Sequence, residues 1–85
     1  MVYTVELAAS ALRELKALDR VIQRRIATHI DGLASNPFPP GARKLQGSVD
    51  QFRIWVRDYR VIYGVEGKRV TVVVLKIGHR REVYR

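Results

Sequence analysis

A proline-rich break at residues 35–41 separates two parts of the chain that differ in hydrophobic period. Its sequence is Ser-Asn-Pro-Phe-Pro-Pro-Gly, and proline excludes helix there because it lacks the amide donor and restricts the residue before it. Apolar residues recur at helical spacing before the break and alternate with polar residues after it. With only 85 residues, two domains would each be too small for a stable core, so we expect one domain over residues 1–85.

A short strand and two amphipathic helices are predicted before the break. Alternation of Tyr3, Val5 and Leu7 with polar residues is typical of an edge or next-to-edge strand. From about Ala8 the period becomes helical, and Asp19 is placed to cap the start of the second helix. The apolar stripes of the two helices are Ala11, Leu12, Leu15 and Leu18, and Val21, Ile22, Ile26, Ile30 and Leu33. The short turn between the helices predicts an antiparallel helical hairpin.

The residues after the break are predicted to form a β-meander. Strands are expected at 51–57, 60–65 and 69–77, with Asp58-Tyr59 as a tight connection, a possible short strand at Leu45 and a strand break at Gly78. The fold class is therefore α+β, with an N-terminal strand, a helical hairpin and an antiparallel β-meander. The helices are expected to cover one face of an antiparallel sheet.

The charge is large and uneven. The net charge is +8 with a pI of about 10.6, and residues 43–85 hold eleven Lys and Arg against four acids, whereas residues 1–42 hold five against four. Such clustering favours a polyanion partner. No cysteine is present, which excludes disulfides and thiolate metal sites, and no His, Cys and carboxylate spacing suggests another metal site. The longest apolar run is too short to span a membrane, and the N-terminus lacks a secretion signal, so a cytoplasmic protein is expected.

One sheet face is predicted to carry arginine and tryptophan. If Phe52, Ile54 and Val56 pack under the helices, then Arg53, Trp55 and Arg57 project from the other side. Arginine binds phosphate through a planar fork, and an indole ring stacks on bases, so this face suits single-stranded RNA. An ordinary solvated strand face would show the same alternation. The C-terminal residues His79, Arg80, Arg81 and Tyr84 add further charge and an aromatic ring.

Four motifs in this half resemble those of the RelE/ParE toxins of bacterial and archaeal toxin–antitoxin pairs. They are Lys44-Leu45-x-Gly47, Phe52-Arg53-Ile54, Arg57-Asp58-Tyr59-Arg60-Val61-Ile62-Tyr63 and Ile77-Gly78-His79-Arg80-Arg81-Glu82-Val83-Tyr84. The resemblance extends over nearly the whole chain, and the RelE-like fold agrees with the elements derived above.

The resemblance to the RelE branch implies a ribosome-dependent messenger RNA endonuclease. In that reaction the ribose 2′-hydroxyl attacks the adjacent phosphate, with no metal and no cofactor, and a cognate antitoxin holds the enzyme inactive in a heteromeric complex. By motif position, Arg60 and Arg80 match arginines that stabilise the phosphate, and Tyr84 matches a tyrosine that orients the nucleotide. The RNA-binding residues are then expected to be Arg53, Trp55, Arg57, Lys44 and Arg81.

The general base is where the chain departs from the family. Arg53 and Trp55 stand where the best-known RelE branch has lysines, and neither side chain is suited to accept a proton. The remaining candidates are His79, Tyr84 and, more weakly, Lys44. His29, on the second helix, is expected to be structural.

Two other functions remain open. ParE-like chains share this fold but poison gyrase without nuclease activity, and they generally lack the catalytic set that is partly present here. The absent lysines also fit an inactive relative that acts as a co-repressor with its antitoxin.

Overall fold

The computed structural model describes residues 2–83 of the chain. Its strands are β1 (Thr4–Leu7), β2 (Arg43–Lys44), β3 (Gln51–Val56), β4 (Tyr59–Glu66) and β5 (Thr71–His79). Its helices are α1 (Ala9–Lys16), α2 (Arg20–Gly32) and α3 (Arg80–Val83), and a single 3-10 turn covers Gly67–Arg69. No helix within residues 2–83 has the length and apolarity needed to cross a bilayer.

The five strands form a mixed sheet in the order β1-β5-β4-β3-β2. β2, β3, β4 and β5 are antiparallel neighbours, which confirms the predicted meander. β1 is an edge strand, as expected, but it pairs with β5 in parallel, from Thr4 opposite Thr71 to Leu7 opposite Val74. The expectation of a wholly antiparallel sheet was therefore wrong. Alternation within a strand carries no information about the direction of a neighbour that is more than sixty residues away.

Both helices of the hairpin cover one face of this sheet, called here the helix face. Ala11 of α1 and Ile26 and Ile30 of α2 are buried in the same cluster as side chains from three strands. The strand residues of this core are Ile54, Val56, Val61, Tyr63, Val72, Val74 and Ile77. Burial of this apolar surface is the main term that stabilises the fold.

The helix boundaries agree with the sequence, and the stripes agree in part. Asp19 caps α2 as predicted, since its Oδ1 accepts a hydrogen bond of 3.1 Å from the Ile22 amide. Leu12 and Val21, however, are 41% and 68% exposed rather than packed in the core. Both residues lie at the margin of the apolar stripe of their helix. A small rotation of the helix about its axis therefore determines whether such a side chain is buried or exposed.

Several strand boundaries differ from the expected ones. Arg57 lies in the β3–β4 turn with a φ of 57°, so it does not continue the strand. Gly78 does not break β5, because the strand runs on to His79 and Gly78 pairs with Arg60. Leu45 follows β2 and only donates its amide to the Gln51 carbonyl at 2.9 Å.

Candidate active site

The sheet face opposite the helices, called here the distal face, carries the arginine and tryptophan side chains of β3 and β4. Because Ile54, Val56 and Val61 point into the core, their strand neighbours point away from it. The register pairs Trp55 with Arg60 and Arg53 with Ile62. Side chains of directly opposed residues share a face, so Trp55 and Arg60 are neighbours on the distal face.

A cleft of about 240 Å³ lies where β3 turns into β4. It is lined by Trp55, Arg57, Asp58 and Arg80. Trp55 is the penultimate residue of β3, Arg57 and Asp58 form the turn, and Arg80 is the first residue of α3. Three separate elements thus bring two cations, one carboxylate and one indole into a single concave site, called here the Trp55 cleft.

Backbone contacts fix the position of Arg80 in this cleft. β5 ends beside the turn because Tyr59 pairs with His79, and the Arg80 amide then donates to the Asp58 carbonyl at 2.7 Å. Arg80 Nη1 lies 3.7 Å from Asp58 Oδ1, and both side chains are about 60% exposed, at 60% and 62%. An exposed ion pair of this length contributes little to stability, so the Arg80 guanidinium is available to an incoming anion.

Arg57 reaches the cleft from a strained backbone. It is the first of two loop residues between Val56 and Tyr59, and its φ of 57° lies in the left-handed region that glycine prefers. A side chain there costs about 1 kcal/mol in backbone energy. Such local strain is a frequent feature of functional sites.

Arg60 lies beside the cleft wall formed by Trp55. Its Nε atom is buried and has no hydrogen-bond partner among residues 2–83. An unpaired buried donor costs about 1–3 kcal/mol, and it is satisfied if an acceptor such as a phosphate oxygen or a water molecule approaches. The Arg60 side chain can therefore bind an anion next to the cleft.

His79, the main candidate for the general base, lies on the helix face and away from the Trp55 cleft. Its ring makes an edge contact with Tyr59 at 5.1 Å, and it lines a separate cavity with Glu14 and Leu18 of the hairpin region. Its Nδ1 accepts the Arg81 amide at 3.1 Å. Within residues 2–83, these contacts give the His79 imidazole a structural role.

The other candidates are more scattered. Lys44 pairs with Phe52, which packs toward the helices against Tyr63, so Lys44 is on the helix-face side of edge strand β2. Arg81 is exposed on α3, and Tyr84 lies outside the described residues. Of the predicted site residues, Trp55, Arg57 and Arg80 line the cleft and Arg60 lies beside Trp55, whereas Arg53 does not line it.

Two residues of this region were missed by sequence reasoning. Arg43 pairs with Arg53 across β2 and β3, which adds a second guanidinium to that part of the distal face. Asp58 was assigned only to a turn, yet its carboxylate lines the Trp55 cleft. The sequence signal that could have identified Asp58 is its position directly before Tyr59 in the third of the four motifs that resemble RelE/ParE toxins. Among residues 2–83 no group of three metal-binding side chains occurs.

Comparison with known proteins agrees with this architecture. A family model described as the ParE toxin of type II toxin–antitoxin systems, parDE, matches residues 5–84. The chain belongs to the RelE/ParE toxin superfamily. A putative RelE-like toxin of Escherichia coli is 33% identical over 82 residues, which cover 94% of this chain and 85% of the relative.

Two matches from Mycobacterium tuberculosis extend the RelE/ParE comparison. Toxin RelG of Mycobacterium tuberculosis is 30% identical over 89 residues, covering 100% of this chain and 99% of its own. The toxin in the toxin–antitoxin complex RelBE2 from the same organism superposes with a TM-score of 0.83 at 26% identity, covering 94% of this chain and all of that one. The agreement spans the whole fold, so the Trp55 cleft lies on a toxin scaffold.

Proposed function

We propose that this toxin cleaves messenger RNA on the ribosome, in the cytoplasm, by attack of a ribose 2′-hydroxyl on the adjacent phosphate. The observation that carries the proposal is the Trp55 cleft, in which Arg57 and Arg80 face an indole ring at the end of the sheet, with Arg60 beside it. The similarity to toxins of the RelE branch supports the same activity.

The cleft suits the charge that develops in this reaction. As the 2′ oxygen attacks, negative charge grows on the non-bridging oxygens of the phosphate, and guanidinium groups stabilise it through short, charge-assisted hydrogen bonds. Arg80 is held by its backbone near the turn but leaves its side chain exposed. We assign Arg80 and Arg60 to the phosphate and Trp55 to base stacking.

A gyrase poison without nuclease activity is the second candidate function. It is favoured by the match to the ParE family model. It is also favoured by Arg53 and Trp55, which occupy positions on the distal face of β3 where the best-known RelE branch has lysines. In that case the arginines of the Trp55 cleft are surface charges that contribute to protein–protein contact.

Substitution of Arg80 tests the nuclease. Arg80→Ala removes one cation from the Trp55 cleft and only an exposed ion pair from the fold, so growth arrest should be lost while the unfolding midpoint changes little. Arg13→Ala is the matched control, because Arg13 is exposed on α1 and does not line the cleft. Primer extension on cellular transcripts after induction measures cleavage directly.

The same experiment separates the two functions. Cut messages with the native chain and with Arg13→Ala, but not with Arg80→Ala, support the nuclease. Intact messages together with trapped gyrase–DNA complexes would identify a gyrase poison, and neither product would indicate an inactive relative.

We further propose that a cognate antitoxin binds this chain in a heteromeric complex. The similar mycobacterial toxin is seen in complex with its antitoxin. The distal face offers a partner two kinds of contact: half-buried apolar side chains at Ile62 and Val73, and cations at Arg43 and Arg53. A segment with acidic and apolar residues that folds on binding fits this surface. Protection from hydrogen exchange confined to residues 2–35 in the complex would contradict this location.

A further inference from the structure

The Trp55 cleft contains a single side chain that can accept a proton at neutral pH. The indole of Trp55 and the guanidinium groups of Arg57 and Arg80 are hydrogen-bond donors with no acceptor atom. The fourth lining residue is Asp58, whose carboxylate Oδ1 lies 3.7 Å from Arg80 Nη1. This composition matters because 2′-hydroxyl attack needs a base within hydrogen-bond reach of the hydroxyl.

The Asp58 carboxylate is free to take that role. Its side chain is 62% exposed, and no hydrogen bond to its carboxylate is made from within the cleft, where Arg80 Nη1 stands 3.7 Å from Oδ1. Its backbone is fixed, since the Asp58 carbonyl accepts the Arg80 amide at 2.7 Å. The carboxylate therefore sits at a defined distance from the cation assigned to the phosphate, with open acceptor positions.

We propose that Asp58 is the residue that accepts the proton of the ribose 2′-hydroxyl, an inference that rests on the proposed nuclease function. The 2′ O–H bond breaks and its proton passes to Asp58 as the 2′ oxygen forms a bond to phosphorus. The bond from phosphorus to the 5′ oxygen then breaks, and that oxygen takes a proton from water. The resulting hydroxide is neutralised by the proton that Asp58 releases, so the products are a 2′,3′-cyclic phosphate and a 5′-hydroxyl.

Two other candidates for the general base lie outside the Trp55 cleft, and a third is tested by its own substitution. His79 faces the hairpin and accepts the Arg81 amide at Nδ1, and Lys44 lies on the helix-face side of β2. Tyr84 is outside the described residues, so Tyr84→Phe is included in the test as the competing assignment.

The experiment measures single-turnover cleavage of message on programmed ribosomes by the purified full-length chain. Asp58→Asn keeps the shape but cannot accept the proton, so the cleavage rate should fall by about 10²- to 10⁴-fold, with ribosome affinity unchanged or improved. Asp58→Glu should recover part of the rate. Asp31→Asn is the control, because it removes the same charge from an exposed position on α2.

A pH profile distinguishes a base from a positioning residue. The charged groups facing Asp58 are Arg57 of its own turn and Arg80 of α3. The described walls of the native cleft contain no imidazole, so the native rate should show no inflection near pH 6.5. Asp58→His should instead give a rate that rises through about pH 6.5, where imidazole loses its proton.

Each outcome decides the assignment. A large loss in Asp58→Asn with a histidine-like profile in Asp58→His supports it. Native-like cleavage by Asp58→Asn, or loss only in Tyr84→Phe, overturns the role of Asp58 and leaves the nuclease intact. No cleavage by the native chain overturns both.

Discussion

Tyr63 shows how one buried side chain joins the sheet to the proline-rich break. It is fully buried in β4, and its hydroxyl donates a 2.7 Å hydrogen bond to the Pro37 carbonyl. Tyr63→Phe removes this bond and leaves the Pro37 carbonyl without it, so the free energy of unfolding at pH 7 should fall by about 1–2 kcal/mol. Urea titration followed by circular dichroism measures the change.

The same residue predicts a loss of stability at alkaline pH. Burial raises the pKa of Tyr63 from 10.0 to about 12. The folded chain then keeps a proton that the unfolded chain loses, so this contribution is complete below pH 10 and is lost as the pH rises toward 12. The loss is on the order of 2 kcal/mol. Between pH 8 and pH 11 the free energy of unfolding of the native chain should fall relative to that of Tyr63→Phe. An equal pH dependence of the free energy of unfolding in both proteins would exclude this contribution.

At this scale the sequence predicted roles that depend on near neighbours. Asp19 was recognised as a helix cap because capping involves only the next three residues. The β3–β4 turn was placed one residue too late, because Arg57 occupies a left-handed position where glycine or asparagine is usual. Asp58 was missed because its partner, Arg80, is 22 positions later in the chain.

The edge of β5 is completed by a helix side chain. β1 pairs with Thr71–Val74 and then ends, which leaves the following part of β5 without a strand on that side. Glu14 of α1 fills this position, with Oε1 accepting the Ile77 amide at 2.9 Å and Oε2 lying 3.3 Å from Lys76 Nζ. A single carboxylate thus connects the hairpin to the strand that leads into α3.

Replacing Glu14 should therefore destabilise the fold. Glu14→Ala leaves the Ile77 amide unpaired, and we expect a loss of about 1–3 kcal/mol and faster hydrogen exchange at Ile77. Glu14→Gln keeps an acceptor and should lose less. Lys76→Ala is the control for the exposed ion pair and should cost under about 1 kcal/mol. Equal effects of Glu14→Ala and Lys76→Ala would mean that the ion pair, not the edge contact, matters.

Elements with a clear hydrophobic period could be predicted, whereas pairings between distant elements could not. The hairpin and the three long strands followed from spacing alone. The parallel partnership of β1 with β5 and the one-turn helix α3 depend on where the chain returns in space. Glu14 lies outside the apolar stripe of its helix, and no local pattern shows that a strand edge lies beside it.

Across the whole molecule, the distal face has a charge gradient along its strands, from positive near the Trp55 cleft to negative at the other end. Arg43, Arg53 and Arg60 lie toward the Trp55 cleft, while Glu6 lies toward the other end, in the register row of Val73. This arrangement follows the excess of positive charge in the second half of the sequence, but the direction of the gradient emerges only from the register. A phosphate backbone approaching the face is attracted to the cleft end.

This gradient predicts how salt affects binding to programmed ribosomes. Each phosphate contact releases a counterion, so the logarithm of the association constant should fall linearly with the logarithm of salt concentration, by a slope of about 0.7 per contact on single-stranded RNA. Arg53→Ala should therefore reduce the steepness by about one contact, because Arg53 lies beside Arg43 on the distal face. Arg13→Ala removes an equal charge from exposed α1 and should leave the slope nearly unchanged. If both variants reduced it equally, binding would depend on net charge alone, and the distal face would have no special part in it.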